Sequence, residues 1–196
     1  TEYFRGIMED IVNEVSLMSK LKGNTHIVSY EDHVVVPNKE KIGWTIYIRM
    51  ELLIPLFMFY KKNSPSRKDV IQLGIDICKA LEVCEKYKVI HRDIKPENIF
   101  VSELGKYKLG DFGIAKQMEK SIATLSRKGT QTYMAPEIYL GNNYNQSVDI
   151  YSLGIVLYRF LNGNRVPFLP AFPEQITPND KQRANLKRIK GCQIPS

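Results

Sequence analysis

Three strings in a fixed order constrain this chain more than anything in its composition: His91-Arg92-Asp93-Ile94-Lys95-Pro96-Glu97-Asn98, then Asp111-Phe112-Gly113, then Ala135-Pro136-Glu137. Singly, each has an ordinary explanation, because an Asp followed by Lys in a loop is usually a solvated ion pair and Asp-Phe-Gly is a common turn. Among their residues are the carboxylates of Asp93 and Asp111, the amide of Asn98 and the ammonium of Lys95, in polar segments that interrupt apolar ones. Asn98 and Asp111 bring oxygen donors of the hard kind that magnesium prefers, in a shell that leaves room for phosphate and water.

The order and spelling of these strings resemble the eukaryotic-type serine/threonine protein kinases. The resemblance implies transfer of the γ-phosphate of ATP to a Ser or Thr hydroxyl of a protein substrate, with Mg2+ as the metal and Mn2+ as its substitute. It gives Asp93 the acceptor hydroxyl, Asn98 and Asp111 the metal, and Lys95 the migrating phosphoryl group. A lysine there fits serine and threonine acceptors, since tyrosine kinases usually lack it. Thr130, after Gly129, matches the family threonine that touches the catalytic Asp and Lys, and joins the catalytic set. His91 matches a histidine that packs beneath Phe112 and bonds to backbone. Met50 falls at the gatekeeper position and Glu51 to Leu53 at the hinge. There the Glu51 carbonyl and the Leu53 amide are expected to bond the adenine edge, with Phe100 under the ring and Glu97 near the ribose.

The implied fold is α+β and bilobal, with a partial small lobe and hinge at 1–53 and a mainly helical large lobe at 54–196. The residues support the same elements. Ile7, Ile11, Val15, Met18 and Leu21 recur three or four apart, as in an amphipathic helix. In the family this is helix C, which puts Glu14 where a glutamate pairs with the strand-3 lysine and aims Met18 toward Phe112. His26 to Val36 and Trp44 to Arg49 read as antiparallel strands around a Pro37-Asn38-Lys39 turn. Ser66-Arg67-Lys68-Asp69 has the form of a capping box, followed at helical spacing by Val70, Leu73, Ile77, Ala80, Leu81 and Cys84. Ser147 to Leu161 is apolar nearly all round and is predicted to be buried on every side, so that Asp149 needs partners. The resemblance assigns it the backbone of His91 and Arg92. A loop is predicted over Asn162 to Pro173 and a basic helix over Ile176 to Ile189.

No Gly-x-Gly-x-x-Gly loop or Val-Ala-Ile-Lys-like strand precedes Glu14, and the family's last two helices, one with the arginine partner of Glu137, have no counterpart. The expectation is a family domain cut at both ends. Leu157 to Arg165 and Pro167 to Pro170 look similar to bacterial members. A second reading is a kinase-derived interaction or scaffold domain with little or no catalysis. The missing glycine loop and lysine argue for it, and the intact Asp93, Lys95, Asn98 and Asp111 against it.

The 196 residues are 43% hydrophobic and 25% charged, an ordinary globular balance. The net charge of +7 is dispersed, with no Lys/Arg block and no interleaving of basic and aromatic residues, so nucleic acid is not an expected partner. Cys78, Cys84 and Cys192 have no metal-ligand spacing, and a reducing, cytoplasmic setting is expected. No apolar run reaches membrane-spanning length; Leu52 to Tyr60 is too short and contains Pro55. Ser121, Thr124 and Ser126, among Lys120, Arg127 and Lys128, match an activation loop. Phosphate on Thr124 or Ser126 is expected to bind Arg92, and self-association for that autophosphorylation is the expected contact between copies.

Overall fold

The computed structural model describes residues 15, 18–38, 43–61, 64–112, 132–170 and 174–192. Glu14, Gly113, Thr130 and the candidate phosphosites Ser121, Thr124 and Ser126 lie outside them, so the expectations placed on those residues are not addressed by the geometry.

Strands β1 (Tyr30–Pro37) and β2 (Trp44–Met50) form an antiparallel hairpin with Val34 opposite Tyr47 and Pro37 opposite Trp44. β-Branched and aromatic residues dominate both strands, as a pleated, half-buried surface favours. The predicted first strand starts four residues late. Residues 26–29 instead run beside a different strand, where Val28 N–H donates to Leu109 O at 2.9 Å and Leu109 N–H donates to His26 O at 2.8 Å. That strand belongs to a second, antiparallel sheet of order β3 (Ile54–Pro55), β4 (Ile99–Val101), β5 (Tyr107–Leu109).

Beyond the hairpin the described residues form helices α1 (Leu56–Phe59), α2 (Arg67–Lys86), α3 (Pro136–Tyr139), α4 (Ser147–Leu161) and α5 (Pro178–Ile189). The Ser66 box is formed: Ser66 Oγ accepts from Asp69 N–H at 3.2 Å while Asp69 accepts from Ser66 N–H at 2.8 Å, satisfying two orphan donors of α2. An equivalent box, Thr177 with Asp180, sets the start of α5. Helix α2 buries Val70, and it packs Leu73, Ile77, Ala80, Leu81 and Cys84 into the main core with Ile94, Ile99, Leu109, Leu153 and Val156, against α4 and β5.

Asp76 lies in the middle of this apolar face and is fully buried. It is satisfied by Gln72 Nε2 at 2.7 Å and Tyr107 N–H at 3.1 Å, so the carboxylate clamps α2 to β5. The hydroxyls of Tyr60 and Tyr107 are hydrogen-bonded beside it.

Two expectations are corrected here. Helix α4 is buried on one side only, because Val148, Ser152, Ile155 and Val156 face the core while Ile150 and Leu161 are each 53% exposed on the side away from it. Met18 packs in a small cluster with Val15 and Tyr30 under Ile46, Ile48 and Met50, whereas Phe112 packs on the main core.

Candidate active site

A hairpin and a buried carboxylate build the site. Strands β4 and β5 pair with Ile99 opposite Leu109, and the next rung is closed by Gly110 N–H donating to Asn98 O at 3.0 Å. That rung brings Asn98, at the end of the 3-10 turn Pro96–Asn98, beside the residue that precedes Asp111. Gly110 is required at this crossing: a Cβ there would come within 2.6 Å of Val28 Cγ2 and 2.9 Å of Phe100 Cε2. Asp111 follows with φ 57, in the left-handed region, which turns the chain away from the strand direction.

The loop from His91 to Lys95 hangs on Asp149. Its carboxylate, buried at the start of α4, accepts from His91 N–H and from Arg92 N–H, both at 2.8 Å. These are charge-assisted bonds, and they hold Arg92 at φ 66, a conformation that a non-glycine residue adopts only when its surroundings impose it. Burial pushes the Asp149 carboxyl up from its usual range, and the two amides pull it back toward the ionised form.

His91 is buried as well. Its Nδ1 accepts from Asp93 N–H at 3.3 Å and its Nε2 lies 3.0 Å from Gly110 O. An amide can only donate and a carbonyl can only accept, so the ring is neutral with its proton on Nε2. Burial holds its pKa below the ordinary histidine value, and the Phe112 ring packs edge-on at 4.9 Å between centroids.

The polar centre follows from this frame. Asp93 Oδ2 accepts from Asn98 Nδ2 at 2.6 Å and lies 2.9 Å from Lys95 Nζ, and Asn98 Nδ2 also reaches Asp93 O at 2.8 Å. Two acceptors on one side fix the amide with nitrogen toward Asp93, leaving Asn98 Oδ1 on the other side as an oxygen donor. Asn98 Oδ1 and the exposed Asp111 carboxylate suit a divalent cation that takes most of its shell from phosphate and water. Among the described residues no group of three or more His, Cys, Asp or Glu side chains gathers into a site that could hold a metal alone.

The residues expected to meet the nucleotide stand on β2, on β4, in the Pro96–Asn98 turn and in the segment between β2 and β3. Phe100 is half-buried on β4 opposite Lys108, Glu97 is exposed, and Met50 caps the small cluster under the hairpin. Leu53 is half-buried and Leu52 is 98% exposed. The Glu51 side chain makes contacts of its own. Its carboxylate accepts from Ser29 N–H at 2.7 Å and from Lys108 Nζ at 2.6 and 2.9 Å. Sequence reasoning passed over Lys108, because a lone lysine in a short strand carries no signal until the fold brings Glu51 to it. Among the described residues Glu137 makes no ion pair, and Arg188, buried on α5, has its Nη1 without a hydrogen-bond partner.

A carboxylate held against an ammonium and an amide, with a second carboxylate one residue beyond the rung that joins Gly110 to Asn98, is the equipment of phosphoryl transfer. Residues 2–192 match the protein kinase domain family model. A probable serine/threonine-protein kinase of Clostridium perfringens is 48% identical over 110 residues, covering 55% of this chain and 16% of that protein. The serine/threonine-protein kinase PEPKR2 of Arabidopsis thaliana is 32% identical over 158 residues, 79% of this chain and 32% of its own length. The probable serine/threonine-protein kinase PknB of Lactococcus lactis is 35% identical over 127 residues, 62% of this chain and 20% of that protein. The chain belongs to the protein kinase domain family, and its relatives include bacterial serine/threonine kinases. It spans about a third or less of the length of these three relatives. No helix among the described residues is long and apolar enough to cross a membrane.

Proposed function

We propose that this domain transfers the γ-phosphate of ATP to serine or threonine hydroxyls of a protein substrate, with magnesium as the metal. The observation that carries the reading is the Asp93 carboxylate, held by Asn98 Nδ2 at 2.6 Å and Lys95 Nζ at 2.9 Å on a loop fastened by Asp149. Asn98 Oδ1 and the Asp111 carboxylate would hold the cation, which would supply charge neutralisation along the phosphates. Asp93 accepts the hydrogen bond of the incoming hydroxyl and directs its oxygen at phosphorus. Lys95, tied to the same carboxylate, supplies positive charge beside the phosphoryl group in flight. His91, neutral and turned into the interior, takes no part in proton transfer.

Division near residue 53, between the hairpin with its own small cluster and the main core, belongs to the same reading. So do a cytoplasmic setting, with which the free thiols of Cys78, Cys84 and Cys192 agree, and self-association for phosphorylation of Thr124 or Ser126.

The test is thermal unfolding with ADP and ATP, with and without magnesium, beside Asp111→Asn. Nucleotide at about a hundred times its dissociation constant adds roughly 2.7 kcal/mol to native stability. The reading expects a magnesium-dependent rise in Tm that Asp111→Asn abolishes. A cooperative melt that no nucleotide moves counts against it.

A further inference from the structure

The Glu51 carboxylate is a node that joins three chain segments. Its Oε1 takes the Ser29 amide at 2.7 Å and Lys108 Nζ at 2.6 Å, and Glu51 N–H returns a bond to Ser29 O at 3.0 Å. Segment 26–29 is stitched by backbone bonds to β5 on its other side, and β5 reaches Asp111 two residues after Leu109. Leu52, the residue after Glu51, is 98% exposed and adds no buried anchor. Lys108 stands directly opposite Phe100 across β4 and β5, so the two side chains rise from the same face of the sheet. Lys108 and Glu51 are largely shielded, with side chains 14% and 24% exposed, so the pair is less screened than a surface bridge.

We propose that Lys108, acting through Glu51, is a positioning residue for the adenine end of the nucleotide: it holds the backbone of residues 51–53 in register with Asn98 and Asp111. This rests on the ATP reading above. Lys108 has no contact with the reacting atoms, and its influence passes through the Glu51 carboxylate to the carbonyl and amide that meet the base.

The experiment measures the affinity of the whole chain for adenosine and for Mg-ADP by calorimetry, in wild type, Lys108→Met, Lys108→Arg, Glu51→Gln and the double variant Lys108→Met/Glu51→Gln. Adenosine carries the base without the phosphates, so it reads residues 51–53 apart from the metal site. Lys108→Met is expected to weaken adenosine and Mg-ADP by the same factor, roughly five- to tenfold, the low end of coupling between linked sites. Lys108→Arg is expected to keep most of the affinity, and the double variant to fall no further than the single ones. In turnover the KM for ATP rises while kcat holds.

Unchanged adenosine affinity in a Lys108→Met protein that melts cooperatively overturns the proposal, as does a loss confined to Mg-ADP. Glu51→Gln keeps an oxygen for the Ser29 amide while removing the charge facing Lys108, and it carries the same test if Lys108→Met does not fold. A wild type that binds neither ligand defeats the ATP reading itself, and this inference with it.

Discussion

Replacing Asp149 by alanine tests the frame of the site more severely than any change at the reacting groups. The carboxylate is buried and receives two main-chain amides at 2.8 Å each, from His91 and Arg92. A hydrogen bond to a charged group contributes about 1.5–3 kcal/mol, and a buried donor left unmade loses its desolvation energy in full. Release of the buried charge offsets part of this, so the expected destabilisation by Asp149→Ala is about 3–5 kcal/mol, as when a buried charged arrangement loses one partner. Arg92, no longer held at φ 66, is then free to leave the left-handed region. Asp149→Asn presents one oxygen and one N–H to two donors, so it should lose about half as much, near the value of one charged hydrogen bond. Urea unfolding followed by far-UV dichroism gives both numbers. Against a total stability of about 5–15 kcal/mol the alanine variant should sit at the edge of folding. An alanine variant within about 0.5 kcal/mol of wild type, the range of an inconsequential surface change, refutes the view that this carboxylate holds the loop.

Three further outcomes are expected. Gly110→Ala forces a methyl against Val28 and Phe100 and should destabilise by about 1–3 kcal/mol in the same urea assay. His91 has its pKa lowered by burial, so the unfolded state binds the proton more readily: stability should be level above about pH 6.5 and decline below it, more shallowly in His91→Gln. Urea midpoints at two pH values either side of that point check the sign. Burial pushes the Cys84 thiol up to about 12, so iodoacetamide at mildly alkaline pH should modify exposed Cys78 and Cys192 in the native protein and reach Cys84 only after denaturation, as counted by mass spectrometry.

Much of this fold was legible because its signals are local. The Ser66 box and the apolar spacing from Val70 to Cys84 fix a helix and its buried face within twenty residues, and both are present. The Asp149 contacts were reachable only through the family resemblance, since nothing near residue 149 announces a partner fifty-eight positions away. Helix α4 shows where periodicity misleads. A run of apolar residues gives hydrophobicity all round but cannot say which neighbours cover it, and Ile150 and Leu161 stay open. Asp76 and Lys108 were illegible for the opposite reason. Each is one charged residue in an otherwise ordinary segment, and its meaning lies in a partner supplied by the tertiary fold, Tyr107 N–H in one case and Glu51 in the other.

The seam along residues 26–29 is written almost wholly in peptide groups: Val28 to Leu109, Leu109 to His26, Glu51 to Ser29. These rungs do not depend on the side chains of Val28 and Leu109, whatever those side chains contribute to packing. A substitution there reads the packing and leaves the seam itself untested. Its sensitivity lies in the main chain. A proline at 28 or 109 removes a rung, and a one-residue insertion between Ile27 and Ser29 shifts this segment against β5. Length and amide chemistry set this seam more than the identity of the apolar side chains along it.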